Sequence, residues 1–190
     1  MKLLTKILKT LPEKTDDCFT DYSTRRNWVR QYSWAIPCKA AIKAIHNAAG
    51  DRPIVELGAG GGLWGALLSE AGLQVHCYDI APKGASNDYR HEKVWYNVHK
   101  GSTKVLVLPK YRDAVLFLCW PPYAETLAYD ALQTFQGDTF VYIGEERGGC
   151  TGDDNFFDLL AAEWDEVERV YIPQWFGIHD ALYIYSRKVK

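Results

Sequence analysis

The segment from Pro53 to Glu70, PIVELGAGGGLWGALLSE, places one acid and then four glycines in five positions where an apolar run gives way to a helical pattern. Gly58, Gly60, Gly61 and Gly62 permit positive φ and remove the Cβ that would keep a ligand off the backbone. The helix that follows offers its free N–H groups to the same place. Nineteen residues beyond Gly60, the run HCYDI ends on Asp79. A carboxylate at that strand end can accept hydrogen bonds from both hydroxyls of a ribose. Glu56 lies two residues before the first glycine. If it points into the cleft it can meet a cation directly or through water.

Gly60-x-Gly62-x-x-Gly65 is a literal G-x-G-x-x-G, so a nicotinamide or flavin dinucleotide competes with S-adenosylmethionine for this turn. Charge separates the two. A dinucleotide sets an anionic pyrophosphate at the turn, whereas S-adenosylmethionine has no phosphate and carries a sulfonium and an α-ammonium. Glu56 repels the first and suits the second. A strand-helix turn without ligand is the remaining reading, and four glycines in five positions are costly unless a ligand uses them.

A second chemical element is AVLFLCWPPYAETLAYDAL, an apolar strand that stops at Trp120-Pro121-Pro122-Tyr123 and passes into a helix. Two prolines stiffen the turn. In an open α/β sheet ligands bind at the carboxyl ends of strands near the switch in strand order, so Cys119 to Tyr123 should border the glycine turn. The same tetrad also serves as a rigid strand-to-helix turn and nothing more.

VELGAGGG, YDIAP, LFLCWPPY, YIGEERGGCTGDD and IPQWFGIHDALYIY, in that order, resemble a group of short class I S-adenosylmethionine-dependent methyltransferases. QYSWAIP resembles the aromatic element before the first strand in that group, and the likeness spans roughly residues 30–187. It implies a Rossmann-like fold, methyl transfer, and S-adenosylmethionine held by Glu56, Gly58, Gly60 and Asp79. By the same likeness, Asn97 to His99 and Cys119 to Trp120 edge the adenine and methionine ends. WPPY also resembles the Asp/Asn-Pro-Pro-aromatic motif of enzymes that methylate the amino group of adenine or a glutamine side chain. This chain departs from it at Trp120, whose indole has only a donor and cannot orient an amine through an accepting side chain. It can instead stack on a planar or cationic acceptor.

Methyl transfer from a sulfonium is an in-line displacement, so few residues need be catalytic. Trp120, Tyr123 and Glu146 are the candidates for shaping the acceptor pocket. Glu146 belongs to GEERGGCTGDD, a loop of four acids and four glycines at a strand's carboxyl end. In the plainer reading Asp153 or Asp154 caps the next helix and Glu145 and Glu146 are solvated. His179 and Asp180 could form a base and its orienting carboxylate, although adjacent residues usually point apart. Cys119 reads better as a buried strand thiol than as a nucleophile, and Trp95 and Tyr96 as packing residues.

The elements that carry these residues follow from alternating β-rich and helical runs after Arg52. Strands are predicted at 53–58, 74–80, 93–98, 114–120, 139–145, 167–173 and 181–187, and helices near 38–49, 63–71, 124–135 and 154–164. The segment between the last two strands is too short for a helical crossover, so they pair as an antiparallel hairpin. The fold class is therefore α/β, a Rossmann-like doubly wound sheet of about seven strands, mostly parallel. Residues 51–190 form this binding domain. Residues 1–50 form a helical and aromatic preface that caps the cleft, with Leu3, Leu4, Ile7, Leu8 and Leu11 at helical spacing until Pro12.

Net charge of −2 and a pI near 6.2 deny the chain the basic excess that supplies non-specific nucleic-acid affinity. Arg25, Arg26 and Arg30, beside Trp28, Tyr32 and Trp34, read as a solvated face over packed aromatics, and no nucleic-acid partner is expected. Five scattered cysteines without a C-x-x-C pair suit neither a disulfide framework nor zinc, which points to a reducing, cytoplasmic setting and no metal. No apolar run is long enough for membrane insertion. The expectation is a methyltransferase acting on a small molecule. The alternative is a protein that binds or cleaves S-adenosylmethionine without transferring a methyl group.

Overall fold

In the computed structural model the described residues are 1–12, 19, 22–82 and 92–189. Seven strands form one sheet in the order β3-β2-β1-β4-β5-β7-β6. They are β1 (Ile54–Leu57), β2 (Val75–Asp79), β3 (Val98–Lys100), β4 (Val115–Cys119), β5 (Thr139–Gly144), β6 (Trp164–Tyr171) and β7 (Ala181–Arg187). The first five pair in parallel, and β7 runs antiparallel between β5 and β6. The α/β class and the antiparallel close of the sheet are as the sequence predicts.

Burial on both faces explains why the central strands read as unbroken apolar runs. Val115 and Phe117 of β4 enter one core with α1 (Lys2–Leu8), α3 (Lys39–Ala49) and α4 (Leu63–Glu70). Leu116 and Leu118 enter the other with α5 (Leu127–Thr134) and α6 (Asp154–Glu163). The period of two assigns alternate residues to opposite layers. Leu4 and Ile7 of α1 are buried in the first core, and the amides of Lys2 and Leu3 donate to the Glu70 carboxylate on α4.

Strand β6 covers Trp164–Tyr171 rather than 167–173, and three further elements differ from the prediction. The strand predicted at 93–98 is confined to Val98–Lys100, because the aromatic residues before it are used elsewhere. The Trp95 amide donates to the Gly61 carbonyl at 2.7 Å, and Tyr96 packs where Gly62 has no Cβ. Helix α5 starts at Leu127, after a turn in which the Glu125 amide donates to the Pro122 carbonyl. A helix the sequence reading lacks, α2 (Tyr22–Gln31), is mostly polar and buries Trp28 and Val29. Part of the polar stretch expected before it lies outside the described residues.

Candidate functional site

Strand order reverses between β1 and β4, since the chain builds outward through β2 and β3 on one side and through β5 on the other. The backbones separate at that switch and leave a crevice at the carboxyl ends. A cleft of about 610 Å³ occupies it. Its wall includes Glu56, Gly58, Gly60, Asp79, Cys119 and Trp120. Six of the eight residues singled out in the sequence therefore meet in one place.

The glycine turn is tied to Asp79 by geometry the sequence does not display. Gly58, Gly60 and Gly62 all have positive φ, at 68°, 53° and 74°. The Gly60 amide donates to Asp79 Oδ2 at 2.9 Å, and the Ala81 amide donates to Oδ1 at 2.8 Å. Each carboxylate oxygen keeps a further lone pair for a ligand hydroxyl. A Cβ on Gly58 would stand 3.2 Å from Leu127 Cδ2, so the turn is closed on that side. Gly65 serves packing instead, since a Cβ there would meet Cys77 Sγ at 2.3 Å.

Glu56 and Cys77 are register partners on adjacent parallel strands, so their side chains share a face. The Cys77 thiol donates to Glu56 Oε2 at 3.1 Å. Glu56 is 2% exposed, and burial pushes its carboxyl up to about 7, opposed by hydrogen bonds from Cys77 and the Gly65 amide. Such a carboxyl is poised to become fully ionised beside a cation. Burial also raises the Cys119 thiol well above its usual range, with the charges of Glu56 and Asp180 adding to the effect. That keeps it a neutral wall residue.

Trp120 is, among the described residues, the one non-glycine with positive φ, at 54°. Its amide donates to the Ile143 carbonyl at 2.7 Å, and its indole Nε1 donates to Asp180 Oδ2 at 2.8 Å. Trp34 stacks on it with ring centroids 5.3 Å apart and planes inclined by 17°. Thus the preface reaches the cleft through Tyr32, Ser33 and Trp34.

Two candidates stand apart. Tyr123 is 63% exposed and lies outside the cleft wall. Glu146 also lies outside it, paired with Arg169 at 2.7 Å on the surface. The buried acid of that loop is Glu145, which accepts from the amides of His179 and Cys150, each at 2.7 Å, and so fastens the loop to the β6-β7 connection. Asp153 caps α6 by accepting from the Phe156 amide. His179 is exposed and Asp180 buried, so the adjacent pair diverges.

Asn97 to His99, which the resemblance sets at an edge of the ligand, do not line the cleft, whereas Gly101, Ser102 and Thr103, just past β3, do. The shift follows from the later start of that strand. Leu127, Glu125 and Asp130 were also not singled out, because nothing in their spacing shows that α5 folds back over the glycine turn. Among the described residues no group of His, Cys, Asp and Glu is arranged to hold a metal, and no helix is long and apolar enough to cross a membrane.

Sheet order, switch-point cleft and glycine turn define a Rossmann-like doubly wound α/β fold with an antiparallel final strand. Family profiles and curated protein sequences contain no match to the chain. Solved structures do share the fold. A magnesium protoporphyrin IX methyltransferase from Synechocystis PCC 6803 with bound S-adenosylmethionine aligns at TM-score 0.57 and 10% identity, over 97% of this chain and 91% of that one. A mutant of MtNAS in complex with S-adenosylmethionine aligns at 0.53 and 15% identity, over 100% of this chain and 73% of that one. A TehB-like S-adenosylmethionine-dependent methyltransferase from Corynebacterium glutamicum aligns at 0.53 and 16%, over 88% and 96%. At such identities the likeness is one of fold.

Proposed function

We propose that the chain is an S-adenosylmethionine-dependent methyltransferase acting on a small molecule. The observation that carries this is a buried carboxyl, Glu56, in the wall of the same cleft as the glycine turn and Asp79. An anionic pyrophosphate would face that acid, whereas a sulfonium and an ammonium would satisfy it. The fold shared with the methyltransferases above supports the same reading.

In this reading Asp79 accepts from the ribose, Gly58 and Gly60 let the ligand approach the backbone, and Glu56 faces its cationic end. Ser102 and Thr103 border the adenine, and Cys119 closes the floor. The bound cofactor supplies an electrophilic methyl group. What the protein must add is alignment and the exclusion of water. Trp120 and Trp34 form the wall against which an acceptor is placed. Tyr123 and Glu146 could act on the acceptor only if the segments after β4 and β5 moved inward. Residues 1–50 are taken as the element that closes the cleft over the domain formed by 51–190.

Calorimetry tests the ligand directly. S-adenosylmethionine or S-adenosylhomocysteine should bind and NAD should not. Preference for NAD would overturn the proposal. Incubation with S-adenosylmethionine alone should leave it intact, while release of methylthioadenosine or homoserine lactone would identify a cleaving enzyme instead.

A further inference from the structure

Four carboxylates, Glu56, Asp79, Glu125 and Asp130, line the cleft, and among its described wall residues there is no lysine, arginine or histidine. Glu56 and Asp79 belong to the glycine-turn end. Glu125, in the turn after β4, and Asp130, on α5, flank Leu127 in sequence and add two carboxylates that lie outside the glycine turn and β2. Any anionic acceptor entering this space meets carboxylates of its own sign and no compensating cation in the wall.

Trp120 supplies a separate observation that favours a cation. Asp180, which accepts its indole N–H, is 2% exposed, and among the described residues its Oδ1 has no hydrogen-bond partner. A carboxylate drawing on an indole N–H pushes electron density onto the ring and deepens the negative potential of its face. Trp34, stacked on Trp120, widens the flat aromatic wall. The Arg25 guanidinium lies 5.9 Å from the centroid of Trp34 and outside the cleft wall.

We propose that the cleft, with Trp34, Trp120, Glu125 and Asp130 in its wall, takes an acceptor bearing a positively charged nitrogen on a planar apolar body. The inference rests on the methyl-donor reading above for the word acceptor, but its chemistry can be tested without turnover. Benzylamine, benzyl alcohol and benzoate share one ring and differ in charge. Their binding is measured by calorimetry at pH 7.5, with and without saturating S-adenosylhomocysteine. The ammonium form of benzylamine is expected to bind at least tenfold more tightly than benzoate, with benzyl alcohol between them. Glu125→Gln with Asp130→Asn, which keep the shape of both side chains, should remove most of that preference. Trp120→Phe keeps a ring but loses the bond to Asp180, and should weaken benzylamine several-fold while leaving benzyl alcohol nearly unchanged. Equal binding of the three probes, or tighter binding of benzoate, would overturn the inference. If S-adenosylhomocysteine fails to bind while the ammonium preference holds, the methyl-donor reading falls and the cationic subsite stands.

Discussion

Replacing Glu56 by glutamine should stabilise the ligand-free protein and weaken its ligand binding, and the size of the first effect follows from the structure. In the folded chain the carboxyl titrates at about 7 rather than 4.5, chiefly because burial penalises its charged form. A folded-state value above the unfolded one means that the native state binds this proton more tightly. Its contribution to stability is therefore complete below about pH 4.5 and is lost as pH rises through about 7. At about 1.4 kcal/mol per pKa unit, the loss amounts to about 3 kcal/mol by pH 8. A glutamine side chain at this position would keep an acceptor for the Cys77 thiol and carry no charge. Glu56→Gln should thus be more stable than the parent by up to about 3 kcal/mol at pH 8 and nearly equal to it at pH 4.5. Urea denaturation at a series of pH values measures this directly. A bound cation would reverse the balance by favouring the ionised carboxyl. Affinity of the parent for S-adenosylmethionine should accordingly rise between pH 6 and 8, with proton release at the lower end, and Glu56→Gln should lose that dependence. Parallel stability curves for parent and variant would refute the argument, since they would mean that Glu56 titrates alike in the folded and unfolded chain.

Asp79→Ala should cost cofactor affinity about 1.5–3 kcal/mol by calorimetry. It should also lower stability by about 1–3 kcal/mol, because Asp79 holds the amides of Gly60 and Ala81 as well as any ribose. Unchanged affinity would remove the ribose assignment. Gly58→Val should abolish binding and cost about 1–2 kcal/mol of stability through its φ of 68°, leaving a folded chain by circular dichroism. Arg187→Ala should destabilise by about 2 kcal/mol in the same denaturation assay, since its guanidinium binds the Gly137 and Phe135 carbonyls and lies over Trp164.

Legibility was uneven for reasons particular residues make plain. Local chemistry carries over well: Gly58, Gly60 and Gly62 announce positive φ because other residues tolerate it poorly, and all three adopt it. The alternation of runs similarly announced a parallel sheet, and 181–187 coincides with β7. Trp95 and Tyr96 misled, because β propensity reports a fit to a half-buried surface, and here that surface is the glycine turn rather than a neighbouring strand. Helix α2 escaped notice since its apolar residues are sparse and become a buried face only against the rest of the chain.

What the sequence by itself determined was the fold class and the glycine-turn half of the cleft, because both reside in short segments whose residue types restrict the backbone directly. Glu56, Gly58, Gly60 and Asp79 occupy one turn and the end of the next strand, so the βαβ unit alone brings them together. The aromatic and acidic remainder of the cleft was decided only by tertiary structure. Trp34 and Trp120 are 86 residues apart, Trp120 and Asp180 are 60 apart, and α5 carries Asp130 to the same cleft. Their meeting depends on strand order and on how loops from distant strands converge at the switch point, and no local periodicity encodes that convergence.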